Sequence, residues 1–273
     1  MMTVRRALFV LTLIAGLALA AGVATSGTRQ PFAYCLFQGL EPRDGCAGER
    51  GSHLFSLDLG TTPAGLPEEV RVPIALELLG AIQRLDGGHP AALREVTIDL
   101  DKDVTIEIEG LPTCAFSQIA RQSAGTARHR CRSAIVGQGV AQIGVGLPEA
   151  RPTVTETTLT LFNGGTRGEV TKLLIHSSDP RLEPVPLVAI VRVTKEKKGP
   201  YGLRAIAKIP RIAGGFGSIY RFSFELRRSL LSARCADGGL HARVARADLR
   251  GELGTSETFI SDAITRPCSL SER

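Results

Sequence analysis

Residues 95–109 read Glu-Val-Thr-Ile-Asp-Leu-Asp-Lys-Asp-Val-Thr-Ile-Glu-Ile-Glu. Val96, Ile98 and Leu100 recur at every second position against Glu95, Thr97 and Asp99, and Val104, Ile106 and Ile108 repeat the pattern against Thr105, Glu107 and Glu109. A period of two is the signature of a strand with one face on a core and the other in water, the pattern typical of antiparallel sheets. Asp101-Lys102-Asp103 between the two runs is turn chemistry, so the stretch predicts a hairpin.

The same pattern extends outward. In 218–227, Tyr220, Phe222, Phe224 and Leu226 oppose Ile219, Arg221, Ser223, Glu225 and Arg227. Strands are also predicted over 141–147, 153–162, 170–175, 187–194, 201–209 and 240–246, and 70–79 reads as a strand or a short helix. Short helical turns are predicted at 91–94 and 116–121. Turn residues punctuate the runs: Gly87-Gly88-His89-Pro90, Asn163-Gly164-Gly165, Asp179-Pro180, Lys198-Gly199-Pro200, Gly214-Gly215 and Asp237-Gly238-Gly239. About ten to twelve short strands with few helices predict an all-β fold, a two-sheet antiparallel β-sandwich of jelly-roll type. Its expected span is 53–273 as a single domain; two smaller sandwiches divided near 148–152 are the alternative.

The chain has 273 residues, 33 Lys+Arg against 27 Asp+Glu, 43% hydrophobic and 22% charged residues, which excludes a disordered chain. Its 30 glycines follow no three-residue period, which excludes collagen. At the start, Arg5 and Arg6 precede an apolar run over 7–20 that ends in Ala18-Leu19-Ala20, a small-x-small cleavage pattern. That run is shorter than the roughly 20 residues a membrane-spanning helix needs. Residues 1–24 are therefore expected to be a cleaved signal peptide, and 25–52 an irregular N-terminal segment. No cysteine stands at lipobox distance and no later stretch is long and apolar enough to span a bilayer, so the expected product is secreted and extracytoplasmic. The six cysteines then argue for disulfides. Six cysteines allow 15 pairings, of which the sequential set, Cys35–Cys46, Cys114–Cys131 and Cys235–Cys268, is favoured because each bridge closes a local loop. No C-x-x-C and no suitably spaced His pair supports zinc.

Several segments in this order carry a resemblance: Gly110-Leu111-Pro112-Thr113-Cys114, Cys131, Ala134-Ile135-Val136-Gly137-Gln138-Gly139, Leu161-Phe162-Asn163-Gly164, Pro200-Tyr201-Gly202, Ile209-Pro210-Arg211-Ile212-Ala213-Gly214-Gly215-Phe216-Gly217-Ser218-Ile219, Ala233-Arg234-Cys235-Ala236-Asp237-Gly238 and Pro267-Cys268. Over residues 94–268 the chain resembles a group of uncharacterised secreted proteins of high-GC actinobacteria. The resemblance implies an extracytoplasmic compartment and the pairs Cys114–Cys131 and Cys235–Cys268. It implies no reaction, and Cys35 and Cys46 lie outside it.

Asp99, Asp101, Asp103, Glu107 and Glu109 crowd one predicted hairpin and are the candidate calcium ligands, since a hard cation relieves repulsion among carboxylates. The spacing is not that of an EF-hand loop, because Val104 and Gly110 stand where that loop needs its Gly and its bidentate Glu. The plainer reading is a solvated acidic hairpin. Glu107 and Glu109, about 7 Å apart along one strand face, are a permissive glycosidase pair. However, the chain has no Trp and 5% aromatic residues, which counts against sugar platforms. No G-x-S-x-G elbow occurs; His176-Ser177-Ser178-Asp179 collects the residue types of a triad but reads as a strand end and turn. Arg121, Arg128, His129, Arg130 and Arg132 form a basic stretch whose plainer reading is a solvated loop and whose functional reading is contact with an anionic cell-envelope polymer, without the aromatic interleaving of nucleic-acid binders. Gly214-Gly215-Phe216-Gly217 precedes a strand and not a helix, so it reads as a positive-φ turn and not a phosphate loop. No cofactor is expected. The function expected is that of a secreted binding or structural protein with no evident catalytic site, acting at the cell envelope; the alternative is an extracellular hydrolase on a β-sandwich scaffold.

Overall fold

The computed structural model describes residues 46–50, 53–146, 152–179, 186–197, 199–251, 256–261 and 263–268. All lie in one compact unit, Phe32–Arg273, with no division near 148–152. The expected signal peptide and the Cys35–Cys46 bridge fall outside the described residues. The expected irregular segment ends in a strand, β1 (Cys46–Arg50), followed by β2 (His53–Thr62), β3 (Val72–Arg84), β4 (Ala92–Asp101) and β5 (Val104–Ile106). Two short helices, α1 (Phe116–Ile119) and α2 (Ala124–Arg130), precede β6 (Ile135–Val145), β7 (Thr153–Arg167), β8 (Val170–Ser177), β9 (Leu187–Lys195) and β10 (Tyr201–Lys208). The chain closes with β11 (Gly217–Ala233), β12 (Gly239–Arg250), β13 (Ser256–Phe259) and β14 (Ile264–Pro267).

The strands bond in the order β1-β2-β3-β11-β6-β7-β8-β9-β10-β4-β12-β13, with β5 on β11 and β14 on β12. The ladders are antiparallel, as the alternating pattern predicts. Hydrogen bonds trace one open sheet and not two separately bonded ones. Side chains tie its two ends together: His53 on β2 meets Glu257 on β13 at 3.0 Å, and Arg266 on β14 donates to Asp58 on β2. His53 Nε2 accepts from the Ala91 amide at 2.9 Å, which leaves Nδ1–H to donate to Glu257.

The predicted hairpin over 95–109 does not form. β4 bonds to β10 and β12, whereas β5 bonds to β11 and ends at Ile106. The Asp101-Lys102-Asp103 turn is a corner between two parts of the sheet. Its carboxylates are buried, with Asp101 accepting from the amides of Asp103 and His241 at 2.8 and 3.0 Å. The helical turn predicted at 91–94 is also overturned: Ala92 and Leu93 pair with Arg250 and Leu249 of β12, and ladder bonding overrides alanine's helix preference. The turn predicted at 163–165 is a bulge inside β7. There Asn163 donates to the carbonyls of Leu111 and Pro112, and its own carbonyl accepts from Cys114, so the buried amide clamps the segment entering the disulfide loop.

Two bridges are in place, Cys114–Cys131 across the helices and Cys235–Cys268 between the ends of β11 and β14. In β11 a bulge between Ile219 and Arg221 shifts the predicted alternation, so that Ile219 and Phe222 both face inward. Phe222 lies opposite Gly80 of β3, and its ring occupies the space a Cβ at Gly80 would fill. No side chain larger than hydrogen fits at Gly80 without moving that ring.

Candidate ligand cavity

The inward side chains of β3, β4 and β6–β11 converge on an apolar cavity of about 190 Å³. On β4 its wall runs from Leu93 to Leu100, and on β9 from Leu187 to Val193. At about 3.3 Å per residue the β4 wall alone is roughly 23 Å long, which makes the space elongated. The reason it is not filled lies in the sequence. Ala141, Ala189, Ala205 and Ala207 stand at inward positions beside larger residues of the neighbouring strands, Ala141 beside Phe222, Ala189 beside Ile175, Ala205 beside Ile98 and Val193, and Ala207 beside Val191. Leu78, Leu100, Ile175, Ala205, Ala207 and Phe224 face inward yet are only partly buried, because their free surface borders the cavity. Ser177 is the one polar residue on the wall among the described residues, and its hydroxyl is already bonded to Thr157 at 2.8 Å. Sequence reasoning missed this cavity. Its only trace in the sequence was the small residues in the alternating runs 201–209 and 187–194.

The predicted acidic site is rearranged. Asp99 is fully buried and accepts from Arg204 Nε at 2.7 Å, Arg204 Nη2 at 3.1 Å and Arg243 Nε at 3.0 Å. Arg243 also stacks over the Tyr201 ring at 4.5 Å. Asp103 pairs with Arg234 at 2.7 Å and lies 3.5 Å from Lys102. Glu107 accepts from Ser232 and Thr105, and Glu109 is exposed. Burial alone would raise the Asp99 carboxyl, but the hydrogen bonds from Arg204 and Arg243 outweigh it and hold the group below its ordinary value of 3.8. The Asp103 carboxyl is likewise raised by burial and brought below that value by Arg234 and Lys102. Arginines therefore stand beside Asp99 and Asp103, two of the candidate calcium ligands, and no His, Cys, Asp and Glu cluster suited to a metal exists among the described residues.

His176 is not a loop residue. It lies buried in β8, and its Nε2–H donates to the Gln122 carbonyl at 2.9 Å, beneath the disulfide-closed helices. Its Nδ1 is buried without a partner. Burial depresses the imidazole below its ordinary 6.5, against the opposing influence of the Gln122 and Ile119 backbone. Because the unfolded chain takes up this proton first, the contribution to stability is full above pH 6.5 and declines as pH falls below it. Lowering pH from about 7.5 to about 5.5 should destabilise the parent measurably more than the His176→Gln variant. Urea midpoints for both proteins measure this, and parallel midpoints would refute it. The neighbouring Ser177 is bonded to Thr157 and His176 to Gln122, so these two side chains do not pair as nucleophile and base.

Arg121, Arg128, His129, Arg130 and Arg132 are exposed on and around α2, with Arg128, His129 and Arg130 in its last turn, where the helix dipole favours cations. Ser123 caps α2 by accepting from the Thr126 amide. The glycine turn is as read: Ala213, Gly214 and Gly215 have φ of 47, 66 and 119°. No helix among the described residues is long and apolar enough to cross a membrane. No known protein family, curated protein or solved structure matches this chain.

Proposed function

We propose that the chain is a secreted, extracytoplasmic binding protein that holds an extended apolar chain, such as an alkyl or acyl tail, inside its rolled sheet. The cavity carries this reading. An apolar space of roughly 150 Å³ is enough to stay dry and admit benzene, and this one is larger and long, with a wall of aliphatic and aromatic side chains. In this reading β3, β11 and β6 face β9, β10 and β4 across the cavity as the two layers of a sandwich, in place of the filled jelly-roll core. Charged side chains such as Arg204 and Lys208 lie on the outer side of β10, whose alternate residues Leu203, Ala205 and Ala207 line the space. That polarity is the reverse of a lipid-facing barrel. The resemblance to secreted actinobacterial proteins and the two bridges support an oxidising compartment beyond the cytoplasm, at the cell envelope. A hydrolase would need polar groups converging on the bound chain, and the cavity wall offers Ser177 alone among the described residues.

The test is titration with N-phenyl-naphthylamine, an uncharged apolar fluorophore. A saturable, blue-shifted emission at one probe per chain, displaced by dodecanol, is expected. Emission that rises without saturation, or that dodecanol leaves unchanged, would sink the reading.

A further inference from the structure

Segment 209–216 leaves β10 and reaches β11, and it has two sides. Ile209, Pro210 and Ile212 border the apolar cavity. Arg211, Gly214, Gly215 and Phe216 border a second space, a polar cleft of about 670 Å³. Ile209 lines both spaces and stands between the cleft and one end of the cavity wall. The cleft's other walls come from the first residues of β4 and the last residues of β12, which lie side by side through the pairing of Ala92 with Arg250 and of Glu95 with Asp248.

Two carboxylates in the cleft are already taken. Glu95 faces Lys208 at 3.7 Å, and Asp248 binds Arg246 at 2.8 Å. Arg94, Arg211 and Arg250 remain, and none has a carboxylate partner among the described residues. Three like charges gathered in one concave space repel each other unless an anion joins them. Burial and the positive charges of Arg211 and Arg250 lower the pKa of Arg94 from its ordinary value, in keeping with that crowding. Phe216 is 44% exposed at the same place, an apolar surface beside the guanidinium groups. Ala213, a non-glycine at φ 47°, holds a costly left-handed backbone conformation of the kind that accumulates at binding sites, followed by two glycines that adopt positive φ freely. The amides of Gly215 and Phe216 are spent on the carbonyls of Ile212 and Ala213, so recognition of an anion falls to the arginine side chains.

We propose that this cleft binds the phosphate headgroup of an amphiphile whose alkyl chain lies in the cavity. The proposal rests on the apolar-ligand reading and specifies its ligand. Guanidinium groups suit it because they bind phosphate oxygens through paired, charge-assisted hydrogen bonds. A headgroup at the cleft and a tail beyond Ile209 give one molecule both environments.

The experiment compares dodecyl phosphate, dodecanol and inorganic phosphate as displacers of N-phenyl-naphthylamine from the full chain, and inorganic phosphate as a competitor against dodecyl phosphate. Dodecyl phosphate should bind at least about tenfold more tightly than dodecanol. Arg211 and Arg250 are both exposed, so the R211Q/R250Q double variant should keep its fold and its dodecanol affinity. It should bring dodecyl phosphate down to the dodecanol level. On the unaltered protein, raising salt from about 0.05 to about 0.5 M should weaken dodecyl phosphate several-fold without weakening dodecanol. Equal affinity for the two amphiphiles, unaffected by salt or by the double variant, overturns the headgroup site while leaving the apolar reading intact. Inorganic phosphate competing at the same concentrations as dodecyl phosphate overturns the lipid source and points to a free-anion site. Failure of dodecanol and dodecyl phosphate alike to displace the probe overturns the apolar reading itself.

Discussion

Asp99→Ala should destabilise the protein by about 3 kcal/mol, since removing one member of a buried ion pair costs far more than the pair contributes. The carboxylate has no exposure to water and holds three close hydrogen bonds from Arg204 and Arg243. Its two partners come from the strands on either side of β4, so one side chain ties β10, β4 and β12 together. Those arginines are about one-third exposed and regain water when the carboxylate is lost, which keeps the cost at the lower end of the range for buried pairs. The same group governs acid stability. Its folded pKa lies below the ordinary 3.8, so its contribution is present above that pH and is lost as pH falls through the depressed value. Asp103 acts in the same direction. Urea unfolding with an unchanged slope and a lowered midpoint is the expected result. In the Asp99→Asn variant the decline in stability below about pH 4 should be shallower than in the parent. A midpoint within error of the parent's would show that the arginines do not depend on this carboxylate.

Ala205→Trp should abolish binding of the apolar probe, by at least about tenfold, and leave the fold intact. In a close-packed core such an enlargement costs about 1–3 kcal/mol because there is no room for it. Here Ala205 faces the cavity between Val193 of β9 and Ile98 of β4, and an indole ring enters empty space. The thermal midpoint should therefore hold or rise while the titration with N-phenyl-naphthylamine loses its saturable component. A variant that melts well below the parent would mean the space is not free to accept a side chain. A variant that binds as before would place the probe elsewhere. The outward neighbour Ile206 supplies the control, since Ile206→Trp lies on the same strand with the opposite orientation and should leave binding unchanged.

Alternation in 95–100, 201–209 and 218–227 was enough to establish strands, an antiparallel sheet and most of its inward residues, because side-chain direction in a strand depends on parity alone. The local loops between cysteines were enough to suggest Cys114–Cys131 and Cys235–Cys268, and the glycines of 214–217 were enough to place a positive-φ turn, which the structure has at Gly214 and Gly215 and extends to Ala213. Parity says nothing about what covers each face. Asp99, Asp101 and Asp103 read as a solvated or calcium-binding edge, but Asp99 is covered by Arg204 and Arg243 and Asp103 by Arg234, all more than a hundred residues later in the chain, on the side of the sheet away from the cavity. His176 looked like a strand end for the same reason, since the helices that bury it precede it by some fifty residues.

The primary structure by itself determined the covalent and local features: which segments extend, which side of each strand is apolar, where the backbone turns and which sulfurs are near enough to join. Only the tertiary structure decided the ladder order, the corner at Asp101–Asp103, the arginine cover over Asp99 and the empty space behind Ala205. Those depend on strand partners far apart in the chain, and on the curvature of the whole sheet, which sets how much volume its inward side chains must fill.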